Sequence, residues 1–265
     1  MKKLALQFAA IAVLALSFSC EKVIDIPLNE ADQEIVVEAV GRNFLGESYV
    51  LLSKTGSVYD DSGFEKLTDA VVTVTDQDGV ETIFTHDPLN PGKYIAPDFA
   101  AMPNSAYSLN IVTDGKTLTS SSTTNSIPTL DSLSYIAVPP GFGSEDTTFL
   151  LFYNFVDNGD ETNFYRVKAW VNGKADNNYY IGDDVLGNGQ PASAPIFATE
   201  IKSKDTVHIE LLSMDEDTYK YLFTLNSNLS SGAFGATPAN PVTNIDEAIG
   251  YFGVYMVDSM SIVMP

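Results

Sequence analysis

The stretch Ala70-Val71-Val72-Thr73-Val74-Thr75-Asp76-Gln77-Asp78-Gly79-Val80-Glu81-Thr82-Ile83-Phe84 decides the fold. β-Branched residues fill both arms, and the Asp-Gly pair between them is a tight-turn signal, so the stretch predicts a hairpin. Similar segments lie on either side. Ile35–Val40 and Tyr49–Ser53 precede it. Lys93–Ala96, Ala106–Ile111 and Lys116–Ser120 follow, the last two joined at Asp114-Gly115. Seven short strands in roughly 90 residues, with no helical period, predict an immunoglobulin-like antiparallel β-sandwich over residues 34–125.

A Ser-, Thr- and Asn-rich stretch ending in Ile127-Pro128 marks a boundary there. Residues 126–265 predict a second β-rich domain. Thr148–Val156 and Asn163–Val171 form a hairpin around Asp157-Asn158-Gly159-Asp160, and Thr206–Leu212 and Gly250–Val257 are further strands. The Gly-, Pro- and Asn-rich residues 182–205 predict an exposed loop. Ser213-Met214-Asp215-Glu216 matches a capping box, with Ser213 as N-cap, so a helix is expected near 214–226. The fold expected is mainly β with one helix.

The N-terminus has its own logic. Lys2 and Lys3 precede an apolar run, Phe8–Leu16, and Cys20 stands at its exit as the single cysteine. The run is far shorter than the ~20 residues that span a bilayer, so residues 1–19 predict a signal peptide. A lone cysteine there predicts a lipid attachment site, with residues 20–33 as a tether. Ser17 stands where lipoprotein signals commonly have Leu, while Ser19 meets the small-residue requirement. Thirty-five acids against 14 bases give a net charge of −21. Such a surface repels nucleic acid and anionic headgroups, so membrane contact is expected through acyl chains.

Catalytic signals are weak. His86 and His208 lack a partner serine in a nucleophile-elbow pattern, and Gly141-Phe142-Gly143 and Gly187-Asn188-Gly189 lack the Lys-Ser/Thr of a phosphate loop. Asp60-Asp61, Asp157–Glu161 and Asp183-Asp184 offer oxygen ligands but no calcium-loop spacing, so Asx turns are expected. No enzyme, cofactor or metal site is expected.

Recognition is expected on two loops. One is Gly182–Thr206, with Tyr179 and Tyr180 at its base. The other is Ser230–Thr243, carrying Phe234. The alternative is a structural fibre or adhesin subunit that exchanges a strand, for which Met256–Met264 is the candidate, although that segment is expected to pair internally.

Three motifs carry a resemblance: Cys20-Glu21-Lys22-Val23-Ile24-Asp25-Ile26; Asn163–Val167 leading to Val171-Asn172-Gly173-Lys174; and Pro238–Ile245 followed by Ile249-Gly250-Tyr251-Phe252. Together the chain resembles a family of Bacteroidota cell-envelope lipoproteins defined only as domain-of-unknown-function family 4249. The resemblance implies an outer-membrane lipoprotein, often associated with a TonB-dependent transporter, and carries no catalytic residues. It also makes an Asp-Ser/Thr pattern relevant as an O-glycosylation signal. That pattern places candidate sites at Ser132, Thr147 and Thr206, with Ser259 as the weakest match.

Overall fold

The computed structural model describes residues 32–56, 63–141, 145–185, 187–231 and 240–265. The signal segment, Cys20, Asp60-Asp61, Phe142-Gly143 and Phe234 lie outside them.

The first strands are β1 (Ile35–Arg42), β2 (Tyr49–Lys54), β3 (Val71–Asp76), β4 (Glu81–His86), β5 (Lys93–Ile95), β6 (Ala106–Thr113) and β7 (Lys116–Thr123). The next are β8 (Thr129–Val138), β9 (Thr148–Val156), β10 (Phe164–Val171), β11 (Lys174–Ala175), β12 (Tyr180–Asp183), β13 (Pro191–Lys202) and β14 (Thr206–Met214). Helix α1 (Glu216–Ser231) and β15 (Ile249–Val263) complete the described chain.

The large sheet runs β11-β10-β14-β15-β1-β2-β5-β4-β3-β6-β7, with β12 also on β10. A small sheet runs β13-β9-β8. The expected hairpin is β3–β4, with Val72 opposite Phe84 and Val74 opposite Thr82.

Side-chain alternation sorts each strand between faces. Val37, Val50 and Leu52 meet Val72, Leu109, Ile111 and Leu118 in one core, so the large sheet folds over itself as the N-terminal sandwich. On the same face of β10 and β14, Val167, Ala169, Ile209 and Leu211 pack on Leu151, Phe155 and Ile196 of the small sheet, forming a second core. The opposite face of β10, β14 and β15 receives Tyr221 and Leu222 of α1. The protein is mainly β, an immunoglobulin-like sandwich followed by a second β-rich part with one helix.

Strand β15 is the common member. Phe252, Val254 and Met256 enter the first core, while Met264 and, partly buried, Met260 and Ile262 enter the second. It pairs parallel with β1 and antiparallel with β14. It runs six residues past the expected end at Val257, because the second core continues its buried face. The expected boundary at 126–129 falls between β7 and β8, and β15 serves the strands on both sides of it.

Two expectations need correction, and one strand was not anticipated. The loop expected over 182–205 is mostly strand, because β12 and β13 occupy it. Pro191 and Pro195 are tolerated because β13 is an edge strand, where a missing N–H costs no ladder bond. The segment before Thr148 holds β8, with Leu130 buried. Helix α1 is capped by Asp215 rather than Ser213: Asp215 Oδ1 accepts the Thr218 N–H at 2.8 Å. Asp215 Oδ2 accepts from Ser122 Oγ and the Thr123 N–H, tying the helix start to β7. Ser213 Oγ instead donates to the Ser126 carbonyl at 3.1 Å.

Candidate functional site

Where the small sheet faces β10 and β12 there is a cleft of about 400 Å³. Its walls come from β9 (Tyr153, Phe155), β10 (Tyr165, Val167), Tyr179 and β12 (Tyr180, Ile181, Gly182, Asp183), and β13 (Ala192, Ala194, Pro195, Phe197). The cross-strand register explains the opening. Phe155 stands opposite Ala192, and Tyr153 opposite Ala194. Rings on one strand therefore face methyl groups on the next, and the missing volume is the groove.

The rings are held in fixed positions. Tyr153 and Phe155 stack at 6.0 Å with 13° between their planes, and Phe155 meets Tyr165 edge-on at 5.0 Å. Tyr165 donates to Asp157 Oδ1 at 2.6 Å, and Asp157 Oδ2 accepts the Gly189 N–H at 2.7 Å. Tyr180 donates to Asp176 Oδ2 at 2.8 Å. Burial, then the carboxylate each hydroxyl meets, raises the pKa values of Tyr165 and Tyr180, while burial alone raises that of Tyr153. All three stay neutral phenols. Phe197 is 74% exposed at the rim. The cleft thus offers flat apolar faces, with Asp183 as the one carboxylate among its lining residues.

Tyr179 and Tyr180 therefore line a cleft, joined by Gly182 and Asp183 of the first expected recognition segment. Tyr153, Phe155 and Tyr165 were legible only as strand residues. No periodicity distinguishes a ring facing a groove from one facing a core. The described end of the second segment lies elsewhere. Val242 and Thr243, with Asn244–Glu247, Ser121 and Asp217, line a separate polar hollow of about 400 Å³.

The acidic loops are internally bonded. Asp184 Oδ2 accepts the Asn163 N–H at 2.8 Å, and Asn158 Nδ2 donates to Glu161 Oε1 at 2.6 Å. Among the described residues no group of three His, Cys, Asp or Glu is placed to hold a metal. His86 packs edge-on to Tyr94 at 5.4 Å. His208 Nδ1 lies 2.9 Å from Ser261 Oγ, and its ring lies 5.4 Å from Trp170. Ser132, Thr147 and Thr206 are all exposed, on β8, just before β9 and at the start of β14. Among the described residues no helix is long and apolar enough to cross a membrane.

The architecture is that of a β-sandwich protein with an aromatic cleft in its second half. By sequence the chain belongs to the family described as domain of unknown function (DUF4249), matched over residues 21–261. No curated protein matches the chain. Among solved structures it is similar to a two-fibronectin-type-III-domain segment from chicken tenascin, with 13% identity over 69% of this chain and 90% of that one, at a TM-score of 0.22. It is also similar to α-L-rhamnosidase from Dictyoglumus thermophilum, with 10% identity over 71% of this chain and 28% of that one, at a TM-score of 0.27. At such TM-scores neither likeness bears on function.

Proposed function

We propose that this protein is a non-catalytic binding or accessory module of the cell envelope, anchored to the outer membrane by lipid on Cys20. The observation that carries the binding role is the aromatic cleft, with Tyr153, Phe155, Tyr165, Tyr180 and Phe197 around about 400 Å³. That volume is within the range of ligand sites. Flat rings beside the Asp183 carboxylate suit a neutral saccharide, whose C–H faces stack on aromatics while a hydroxyl donates to Asp183. A TonB-dependent transporter is the partner proposed from the family resemblance. The lipid carries the membrane contact, because the −21 chain has no basic surplus to offer anionic headgroups.

Two experiments test this reading. Glycan-array binding of the purified protein tests recognition, with Phe197→Ser as the comparison, since its exposed ring contributes little to stability. Retained glycan signal in that variant would count against the cleft. Fractionation of cells carrying Cys20→Ala tests the anchor. Protein that still pellets with membranes at high salt would reject it.

Ser132, Thr147 and Thr206 are proposed as O-glycosylation sites. Their exposure leaves room for a bulky, soluble sugar. An intact mass equal to the lipidated polypeptide would reject all three.

A second reading, a fibre subunit, draws on β8, an edge strand of the small sheet with Tyr135 43% and Ile136 57% exposed. Size-exclusion chromatography separates the two: a monomer or 1:1 complex fits the binding module, a ladder of polymers the fibre.

A further inference from the structure

Strand β13 leaves its register with β9 beside the aromatic cleft. Ile196 stands opposite Leu151, and the next paired residue, Ile201, stands opposite Phe149. Residues 197–200 therefore stand against Leu150 alone, and the strand bulges there. β13 is an edge strand, so the bulge disturbs no second ladder. Bulges re-aim side chains and are over-represented at sheet edges and beside functional sites. The side chain re-aimed here is Phe197. It is 74% exposed, although Ile196 and Ile201 on either side of the bulge are 3% and 1% exposed.

Beside the bulge is a second hollow of about 240 Å³. Leu150, Ile196 and Ile201 give it apolar walls, and Thr148 and Glu200 are its polar residues. Ile196 and Ile201 belong to the second core, which fixes their positions. The Glu200 side chain is 46% exposed and lies 3.5 Å from Lys202 Nζ, which also reaches Asp146 at 3.3 Å. That contact steadies the carboxylate and leaves it lone pairs for a hydroxyl donor.

Phe197 lines both this hollow and the aromatic cleft, so the two adjoin across one exposed ring. Alone, about 240 Å³ falls below the usual size of a ligand site. As a continuation of the cleft it lengthens the groove and repeats its chemistry, apolar walls with a single carboxylate. Two such hollows on either side of a ring suit a linear ligand of repeating units better than a compact one.

We propose that the hollow beyond Phe197 is a second subsite of the cleft, and that the ligand is a linear neutral oligosaccharide crossing Phe197. One unit donates a hydroxyl to Asp183 and a later unit donates to Glu200. This inference rests on the reading of the cleft as a saccharide site.

Isothermal titration of the full chain with the two-unit and six-unit members of the xylo-, cello- and malto-oligosaccharide series tests it. In at least one series the wild type binds the six-unit probe at least tenfold more tightly than the two-unit probe. Glu200→Ala and Val138→Trp lose that gain and keep the two-unit affinity, the second by filling the hollow from the end of β8. Phe197→Ser weakens both probes, because its ring belongs to both walls. Glu200 is part of a surface ion pair that contributes little to stability, so Glu200→Ala decides the matter if Val138→Trp fails to fold. No six-unit gain in the wild type, or a gain that survives in either folded variant, overturns the subsite and leaves the cleft standing. Absence of binding by every probe overturns the saccharide reading of the cleft and the subsite with it.

Discussion

Arg42 on β1 and Glu210 on β14 meet at 2.8 Å, although β15 runs between their strands. The two residues come from opposite halves of the sequence, and their side chains are only 13% and 12% exposed. Arg42 also reaches Glu47 at 3.2 Å. A buried pair adds little over an apolar replacement, but half of one is costly. Arg42→Met should therefore destabilise by about 3 kcal/mol, by leaving Glu210 buried without its cation. Arg42→Met/Glu210→Leu should return to within about 1 kcal/mol of wild type. Urea denaturation of Arg42→Met, Glu210→Leu and the double variant checks this; additive losses would show that the pair is not coupled.

Gly250 is the second residue in the parallel pairing of β15 with β1, opposite Val37. Its φ is 128°, and a Cβ there would overlap the Val37 carbonyl oxygen. Gly250→Ala should prevent this register and cost more than about 3 kcal/mol, the range of severe backbone and overpacking lesions. Gly253 is tight for a different reason: a Cβ would meet Thr218 Cγ2 of α1 at 2.7 Å. Gly253→Ala should be destabilising and partly rescued by Thr218→Ala, whereas no partner change should rescue Gly250→Ala. Circular-dichroism melts distinguish the two.

A chain that starts at Thr129 keeps β15 but leaves Phe252, Val254 and Met256 without the strands they pack on. Those three side chains are buried in the full protein. The fragment should associate or melt well below the full chain. Appending residues 33–125 as a separate polypeptide should restore a monomeric complex. A fragment that is monomeric with an unchanged Tm would show that the second part folds without β1.

Much of this was legible in the sequence, and the failures have physical causes. The Asp-Gly turn and β-branched arms of 70–84 required no tertiary information. Strand β13 was hidden by Pro191 and Pro195, which are harmless only on an edge, and edge position is a property of the assembled sheet. The N-cap moved from Ser213 to Asp215 because Ser122 and Thr123 of a distant strand also bind that carboxylate. The cleft was half legible. Tyr179 and Tyr180 stood out beside a loop-like stretch, but Tyr153 and Phe155 faced a groove only because Ala192 and Ala194 happen to lie opposite them.

Alkaline pH should unfold the protein. Burial raises the Tyr255 pKa to about 12, with Arg166 pulling the other way, and raises that of Tyr251 well above its ordinary value. A raised folded-state pKa means that the unfolded chain releases its proton first. The resulting stability is therefore intact below about pH 10 and lost as pH climbs towards 12. Tyr255→Phe should flatten the fall in stability between pH 10 and 12 without changing its slope between 7 and 9. An unchanged alkaline slope would place the titrating groups elsewhere.

The central claim is that the cleft bounded by β9, β10, β12 and β13 recognises a ligand. Isothermal titration with neutral oligosaccharides of four to eight units tests it most directly, with the wild type compared to Phe197→Ser and Tyr180→Ala. The account predicts that at least one oligosaccharide binds the wild type and that each substitution weakens it at least tenfold, as expected when a stacking ring is lost. Equal affinities in all three proteins, or no oligosaccharide bound by the wild type, would contradict it.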